Sequence, residues 1–395
     1  MNTLFAVIVL MEILSGVEID LCIPSFPEIK DIFKTSTAAV EGLLSVNLFT
    51  NCLGALIAGT LGDKYGRKPI ILYGLALFIF GSALCVFAAN YQMLLLGRIL
   101  QGFGISCPAC LAYVIIPDTY DVKTHQKMLG LLNFFATASM AIAPVIGSHI
   151  ALYFGWRGNF GFCLLCGVFC FVLGYFFLPP AGVVKSCREV SFMCKYFEIL
   201  QNPKSLHYLM VICFFIVGYW VFIGMAPILY CKDFGVPLRH FGFYQGALAF
   251  TLAVVSLLSE RLITFFGQKK CFYGSVAVCV VSLVLIAILV VTNVAHPGLI
   301  TFAMVFLSAG IVCPVNILCP YAYKVVPEDK GKLNALIMSL KMAVISFLIQ
   351  FTSFVYSGNF RIVGIVVAMT LIFAIAMSRR LLRIDPILSN PSENP

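Results

Sequence analysis

Apolar stretches of about 20 residues follow one another almost without interruption from residue 4 to residue 378. A helix needs about 20 consecutive apolar residues to cross the hydrocarbon core of a bilayer. Hydrophobic residues make up 61% of the chain and charged residues 11%, against roughly 45–50% and about 25% in soluble domains. The outer surface of the folded chain must therefore also be apolar. This excludes a secreted disulfide-rich domain, a disordered protein and a cytosolic enzyme.

Twelve membrane spans are predicted from these stretches. They cover residues 4–26, 40–61, 69–89, 92–117, 127–151, 158–179, 206–230, 239–259, 270–292, 298–323, 333–356 and 360–378. The first span lacks a basic segment before it and carries acidic residues in its middle, so it is interpreted as a retained helix rather than a cleaved signal peptide.

The longest connection lies between the sixth and seventh spans and divides the chain into two groups of six. The sequence therefore predicts an all-α membrane protein of twelve transmembrane helices in two six-helix halves. Its parts are an N-terminal bundle (residues 1–180), a cytoplasmic linker (181–205), a C-terminal bundle (206–379) and a cytoplasmic tail (380–395). Duplicated halves with a substrate site between them are a recurrent plan among transporters. The internal repeat is weak, and its best trace is residues 59–68 against residues 259–270.

The distribution of Lys and Arg predicts the orientation in the membrane. If the N-terminus is cytoplasmic, 18 of the 26 basic residues fall on the cytoplasmic side, 6 on the other side and 2 inside spans. Both termini are therefore expected in the cytoplasm. This topology, together with attraction to anionic lipids, accounts for the net charge of +9 without nucleic acid.

Ionisable residues inside a membrane span are costly, and they often mark function. The first span contains Glu12, Glu18 and Asp20, and the fourth contains Arg98. Glu12 and Asp20 share one helix face, and Asp20 is expected at the same depth as Arg98, so an Asp20–Arg98 pair is predicted. Such a pair couples proton affinity to any movement of the arginine. A static ion pair between the two spans is the alternative.

Two further charges in the spans have open interpretations. Glu18 falls on a different face from Glu12 and Asp20, and it is interpreted as a helix-end acid that reaches lipid headgroups or a neighbouring helix. Lys341, in the eleventh span, either balances Glu12 across the interface between the halves or extends along its helix toward water.

The loop after the second span carries a long and specific motif. Its sequence runs Gly59-Thr-Leu-Gly-Asp63-Lys64-Tyr-Gly66-Arg67-Lys68. This string resembles the loop signature of the major facilitator superfamily between the second and third spans. The glycines permit a tight turn, and Asp63 is expected to cap or pair with nearby basic groups and so to stabilise one state of a gate.

Two other motifs resemble the same superfamily. The segment from Arg98 to Gly104 resembles its Arg/Gln/Gly motif, which is associated with proton coupling. The fifth span resembles the antiporter signature of drug:proton exchangers, through Ser139, Ala143, Pro144, Gly147 and Ser148. Ser139, Ala143 and Ser148 stand where the signature usually has glycine, and these small residues still allow helices to approach closely.

Further segments resemble the Bcr/CflA multidrug efflux subgroup. They include the end of the first span, residues 20–27, and the start of the sixth, residues 154–160. The resemblance implies the major facilitator fold and a central cavity between the halves. Candidate cavity residues, chosen because aromatic, Met and amide side chains suit bulky amphipathic ligands, are Asn47, Tyr113, Tyr219, Trp220, Met225, Tyr230, Tyr244, Gln245, Asn316 and Lys341. For each of them, helix packing is the alternative.

The expected function is proton-coupled efflux of hydrophobic or cationic small molecules, with Glu12 and Asp20 competing for protons and Arg98 sensing the state. The alternative is a proton-coupled carrier of one metabolite, working as an importer or an exporter. No nucleophile–base constellation indicates an enzyme, and the five histidines show no metal-ligand spacing, so neither a metal nor a cofactor is expected. A monomer in a bacterial inner membrane is predicted, with a small-molecule substrate and lipid as partners.

Overall fold

A computed structural model describes residues 3–119, 122–179, 192–293, 295–326 and 330–385. In these ranges the chain is helical and forms no strand. The α-helices are α1 Thr3–Cys22, α2 Phe26–Ile32, α3 Thr37–Tyr65, α4 Arg67–Val86, α5 Tyr91–Thr119, α6 Val122–Phe177, α7 Phe192–Gln201, α8 Pro203–Pro227, α9 Leu238–Phe266, α10 Gln268–Thr292, α11 Pro297–Val325, α12 Lys330–Val355 and α13 Phe360–Ile384. A 3₁₀ turn, Ile23–Ser25, follows α1, and a π-helical turn, Ile228–Asp233, follows α8.

The helices account for the twelve predicted spans. Among the described residues, ten helical stretches are long and apolar enough to cross a membrane. One of them, Phe134–Phe177, has 44 residues, and Gly155 breaks its helical geometry with a φ of 67°, so it makes two passes. The remaining pass is α1, which carries three carboxylates along its 20 residues. It ends at Cys22, four residues before the predicted boundary, where the 3₁₀ turn Ile23–Ser25, which contains Pro24, takes over.

The two halves repeat one another in helix length and in one turn. Helices α3, α5, α9 and α11 each have 29 residues. A single glycine links α3 to α4 and α9 to α10: Gly66 has φ 91° and ψ 154°, and Gly267 has φ 80° and ψ 152°. Only glycine adopts this backbone conformation readily. The weak sequence repeat around these positions therefore corresponds to a repeated structural unit.

Polar side chains cap the helices that start at the membrane edges. Ser36 Oγ accepts a hydrogen bond from the backbone N–H of Ala39 at the start of α3, at 3.1 Å. Asn359 Oδ1 does the same for α13, where Arg361 N–H donates at 3.1 Å. Each cap satisfies a backbone donor that has no partner inside its helix, and so fixes where the helix begins.

The helices of each half pack mainly on one another, and two long contacts join the halves: α3 with α12, and α6 with α9. We name the two ends of the bundle by their residues. The Asp31 end holds the ion pair of Asp31 and Lys232, and the Gly66 end holds the turns at Gly66 and Gly267. Of the predicted linker, residues 181–205, the part 181–191 lies outside the described residues and the remainder forms α7 and the start of α8, so the division into domains stays a prediction.

The contact between α3 and α12 closes the bundle toward the Asp31 end. Ser346 Oγ donates to the carbonyl of Ser45 at 2.7 Å. Gln350 Nε2 donates to the carbonyl of Ala38 at 3.1 Å. Since α3 begins at the Asp31 end, these bonds tie the halves together on that side of the bundle.

Candidate functional site

A buried polar network surrounds Arg98 inside the N-terminal half. Arg98 Nη1 lies 2.6 Å from Glu18 Oε1 and donates to Gln101 Oε1 at 3.0 Å. Asn47 Nδ2 donates to the same Glu18 oxygen at 2.9 Å, and Gln101 Nε2 donates to Ser82 Oγ at 2.8 Å. All five side chains have 0% exposure, so the network is sealed from water and lipid in this conformation.

The predicted pair of Asp20 and Arg98 is wrong. Arg98 instead pairs with Glu18, which is fully buried and does not reach lipid headgroups. The reason is angular: at 100° per residue, Asp20 lies about 160° around α1 from Glu18, so only one of them can face α5. The sequence argument matched the depths of Asp20 and Arg98 along their helices but did not test which side of α1 faces the arginine.

Asp20 and Glu12 lie away from the arginine. Asp20 is 4% exposed and lies within electrostatic range of Glu18 and of Tyr219 on α8, in the other half. Glu12 Oε1 accepts a hydrogen bond from Tyr113 at 3.3 Å, and its other oxygen is buried without a described partner. Neither carboxylate has a described cation beside it, and Asp20 lies at the interface between the halves.

Glycine provides the close packing beside this network. A Cβ at Gly102 would lie 2.2 Å from the carbonyl oxygen of Asn47 and 2.4 Å from Thr50 Oγ1. The Gly102 position of the Arg/Gln/Gly motif therefore lets α5 approach α3 closely enough for Asn47 Nδ2 to reach Glu18 and the carbonyl of Arg98.

The loop motif forms the turn at the Gly66 end. A Cβ added at Gly59 would have no heavy atom within 4 Å. The ammonium group of Lys64 lies over the ring of Tyr65. Arg67 opens α4, and Lys68 Nζ donates to the carbonyl of Leu178 at 2.9 Å. Lys68 thereby ties the start of α4 to the residue that follows α6. The side chain of Asp63 lies outside the described residues.

The small-residue motif of α6 lies between the two halves. On one side, a Cβ at Gly147 would lie 2.3 Å from the carbonyl oxygen of Leu21, in α1. On the other side, Ser148 Oγ would lie 2.9 Å from a Cβ at Gly242, in α9 of the other half. Ser148 Oγ itself donates to the carbonyl of Pro144 at 2.8 Å. The motif therefore acts as a contact surface.

Two other small residues of the motif also pack closely against their surroundings. Ser139 Oγ donates to the carbonyl of Ala136 at 2.7 Å and packs against Gly16 of α1, while Ala143 is fully buried. As the sequence predicted, these replacements for glycine remain small enough for close helix approach.

A cavity of about 210 Å³ is lined mainly by helices of the C-terminal half, and among its described lining only Met140 comes from the N-terminal half. Four of the predicted residues line it: Tyr219, Trp220, Asn316 and Lys341. Asn316 Nδ2 also donates to Ser259 Oγ at 2.9 Å. The rest of the described lining is mostly aliphatic and comes from α6, α8, α9 and α11, namely Met140, Ile216, Ala249, Leu252, Ser256, Ile311, Val312 and Val315.

The other cavity candidates lie elsewhere. Tyr230, Tyr244 and Gln245 line a narrower pocket between α8, α9 and α11. Met225 is fully buried in the hydrophobic core. Tyr113 donates a hydrogen bond to Glu12. Asn47, expected in the cavity, instead belongs to the Arg98 network. The sequence ranked these side chains by type, and side-chain type does not show which helix face points inward.

Lys341 does not balance Glu12, and its side chain instead extends along its own helix toward Met338, one turn earlier in α12. Its Nζ donates to Met338 Sδ at 3.3 Å, and the side chain is partly exposed to the cavity. Among the described contacts it makes no ion pair with Glu12, which instead accepts from Tyr113. Lys341 is therefore a cavity residue whose charge has no described carboxylate partner.

One buried acid was not predicted at all. Glu41, in the second turn of α3, is fully buried, and neither of its carboxylate oxygens has a described hydrogen-bond partner. It lies at the start of the predicted second span, where residue type and position alone do not distinguish a buried acid from an exposed one at a helix end. No group of three or more His, Cys, Asp or Glu side chains within the described ranges is placed to hold a metal ion.

Comparison with known sequences gives one family over most of the chain. The sequence profile described as Major Facilitator Superfamily matches residues 8–349. The chain is 24% identical over 329 residues to a "Bicyclomycin resistance protein homolog" of Haemophilus influenzae. This alignment covers 82% of each of the two chains. It is 30% identical over 241 residues to "Multidrug resistance protein MdtL" of Citrobacter koseri, an alignment over 61% of this chain and only 60% of that relative.

Comparison with solved structures shows the same fold. A partially occluded inward-open structure of the xylose transporter XylE from E. coli has a TM-score of 0.73 at 13% identity, over 95% of this chain and 97% of that one. A bacterial homologue of the human lysosomal transporter Spinster, in an inward-facing conformation, has a TM-score of 0.72 at 14% identity, over 98% and 97%. At these identities the likeness concerns the fold alone.

Proposed function

The chain belongs to the major facilitator superfamily, and we propose that it exports hydrophobic small molecules across a bacterial inner membrane in exchange for protons. The observation that carries this proposal is the grouping of three buried carboxylates on α1 with a single arginine. Glu18 is neutralised by Arg98, whereas Asp20 and Glu12 have no described cation beside them. The relatives named for bicyclomycin and multidrug resistance support the direction of transport and the type of substrate.

The proposed coupling follows from burial. An ionised carboxylate without a partner is costly in a site closed to water, so a closed site favours the protonated form. Asp20 lies where α1 meets Tyr219 of the other half, and Tyr219 also lines the cavity. Separation of the halves would hydrate Asp20 and release its proton, and substrate in the cavity would favour that separation.

We propose that the structure represents the conformation of the transporter that is open toward the cytoplasm. The bonds from α12 to α3 close the bundle toward the Asp31 end, and both solved relatives in fold are described as inward-open or inward-facing. We therefore assign the Asp31 end to the outer side, which agrees with the Lys and Arg distribution and places both termini in the cytoplasm.

The test is proton-driven flux in proteoliposomes of the purified full-length protein. An imposed pH gradient is expected to drive a neutral hydrophobic substrate such as chloramphenicol in wild type. The double variant Glu12→Gln/Asp20→Asn should lose this driven flux and keep exchange of labelled for unlabelled substrate. Undiminished pH-driven flux in the double variant would overturn the coupling.

The second candidate function is a proton-coupled carrier of a single metabolite. The observation that favours it is Lys341 in the cavity, since a fixed charge suits one polar substrate better than a broad range of drugs. A panel of unrelated hydrophobic compounds distinguishes the two: competition by many of them indicates multidrug export, and competition by none indicates the single-metabolite carrier.

A further inference from the structure

Lys341 brings a positive charge into an otherwise mainly apolar cavity. It lies in α12 and contributes to the wall of the 210 Å³ space together with Tyr219, Trp220 and Asn316. The described contact of its ammonium group is with Met338 Sδ at 3.3 Å, and a thioether is a weak acceptor. The charge is therefore neither neutralised by this contact nor well solvated by it.

Among the residues that the structure describes, the groups around Lys341 supply no counter-charge. Cys213 and Cys319 lie within electrostatic range of it, and Cys213 Sγ donates its hydrogen to the carbonyl of Ile337. Free thiols are ordinarily neutral at pH 7. Among the described residues, no carboxylate lines the cavity.

The buried carboxylates of α1 have other neighbours. Glu18 pairs with Arg98, and Glu12 accepts from Tyr113. Asp20 faces Tyr219 from the α1 side, and it does not line the cavity. The ammonium group thus has an unmet electrostatic requirement that a ligand in the cavity can meet.

We propose that the cavity binds amphipathic small molecules that carry one anionic group, such as a carboxylate, and that Lys341 Nζ is the group that recognises this anion. The apolar body of the ligand packs against Trp220, Tyr219 and the aliphatic wall. Attraction between opposite charges is strong where water is scarce, and a lipophilic cation meets like charge at the same place. This inference rests on the proposed transport function, because it assigns a substrate class to the same cavity.

Three probes that share one apolar body test the charge preference. They are naphthalene-2-carboxylate, its neutral amide, and naphthalen-2-ylmethylamine, which is a cation at neutral pH. Binding of each tritiated probe to the purified full-length protein is measured by scintillation proximity, without a pH gradient. Wild type is expected to bind the carboxylate more tightly than the amide, and the amide more tightly than the amine.

Substitution of Lys341 assigns the preference to one side chain. Lys341→Met keeps the length of the side chain and removes the charge, so the carboxylate should bind roughly tenfold or more weakly, as for loss of a hydrogen bond to a charged group. Binding of the amide should change less than about twofold, because the neutral amide forms no ion pair with Lys341 that the substitution could remove. Lys341→Arg keeps the charge and should retain the preference. Lys269→Met, at an exposed lysine of α10, is the matched control and should change nothing.

Equal binding of the carboxylate by wild type and Lys341→Met would overturn the inference, as would tighter binding of the amine than of the carboxylate by wild type. The outcome is separate from that of the proposed function. If the carboxylate binds through Lys341 while a pH gradient drives no flux, the cavity assignment stands and the proton coupling fails. If the gradient drives flux of a neutral compound while the carboxylate shows no preference, the coupling stands and this inference fails.

Discussion

Arg98 Nη1 lies 2.6 Å from Glu18 Oε1, and both side chains are fully buried. The pair occupies the interior of the N-terminal half, while Asp20 lies two residues further along α1 and faces the C-terminal half. One helix therefore carries a carboxylate held in an ion pair and, on the opposite side, a second carboxylate that has no described cation partner. The two acids should respond differently to neutralisation.

Neutralising Glu18 should destabilise the protein far more than neutralising Asp20. In Glu18→Gln the buried guanidinium of Arg98 loses its counter-charge, and loss of one partner of a buried ion pair costs about 3–5 kcal/mol. Asp20→Asn removes a carboxylate that has no described cation partner, so its effect on the free energy of unfolding should be small or stabilising. The measurement is chemical denaturation of both variants in the same detergent. A larger loss in Asp20→Asn than in Glu18→Gln would contradict the assignment of the ion pair.

Adding a methyl group at Gly102 should also destabilise the protein. The Cβ would overlap the carbonyl oxygen of Asn47 at 2.2 Å, and overpacking of this kind costs roughly 1–3 kcal/mol. Gly59→Ala is the matched control within α3, because nothing lies within 4 Å of its Cβ position. That control should be neutral or more stable by up to about 1 kcal/mol, since alanine is favoured over glycine in a helix. Equal melting temperatures for the two variants would show that α3 and α5 are not in close contact.

The sequence predicted the twelve spans, the turn at Gly66 and the packing role of the small residues in α6. These features depend on local properties, namely runs of apolar residues, a backbone that only glycine adopts, and side-chain size. The ion pair and the cavity depend on how each helix is rotated about its axis. Asn47 and Glu18 show the difference: their depths were predictable, but the side that each presents to α5 is fixed only by packing.

The free energy of unfolding of wild type should decrease as the pH rises past the ordinary pKa of a Glu carboxyl, in part because of Glu28. Partial burial raises the pKa of Glu28 from 4.5, while the backbone N–H of Trp156 and the charge of Arg157 act in the opposite direction. The folded state therefore retains this proton to a higher pH than the unfolded state. The contribution is present below 4.5 and is lost as the pH rises through the folded pKa, which lies above that value.

Glu28→Gln should remove this part of the pH dependence. Melting temperatures of wild type and variant, measured in steps from pH 4 to pH 7, should differ in slope just above the ordinary Glu value, with wild type falling and the variant flatter. The difference between the two curves isolates Glu28 from the other acids of the chain. Parallel curves over the whole range would contradict the raised pKa.

Replacing Glu41 by glutamine should stabilise the closed arrangement of the Asp31 end. Glu41 is fully buried, and its two oxygens lack described hydrogen-bond partners. The titratable groups facing it are the cation Lys30, whose Nζ donates to Thr37, and the neutral phenol of Tyr356, whose hydroxyl donates to Asp233. Burying an unsatisfied polar group costs about 1–3 kcal/mol, and an ionised group costs more.

Glu41→Gln keeps the shape of the side chain and removes the charge, so the free energy of unfolding at pH 7.5 should rise by about 1 kcal/mol or more. Glu260→Gln, at an exposed acid of α9, is the control and should stay within about 0.5 kcal/mol of wild type. A Glu41→Gln variant less stable than wild type, with the control unchanged, would show that the carboxylate of Glu41 is stabilised by its surroundings.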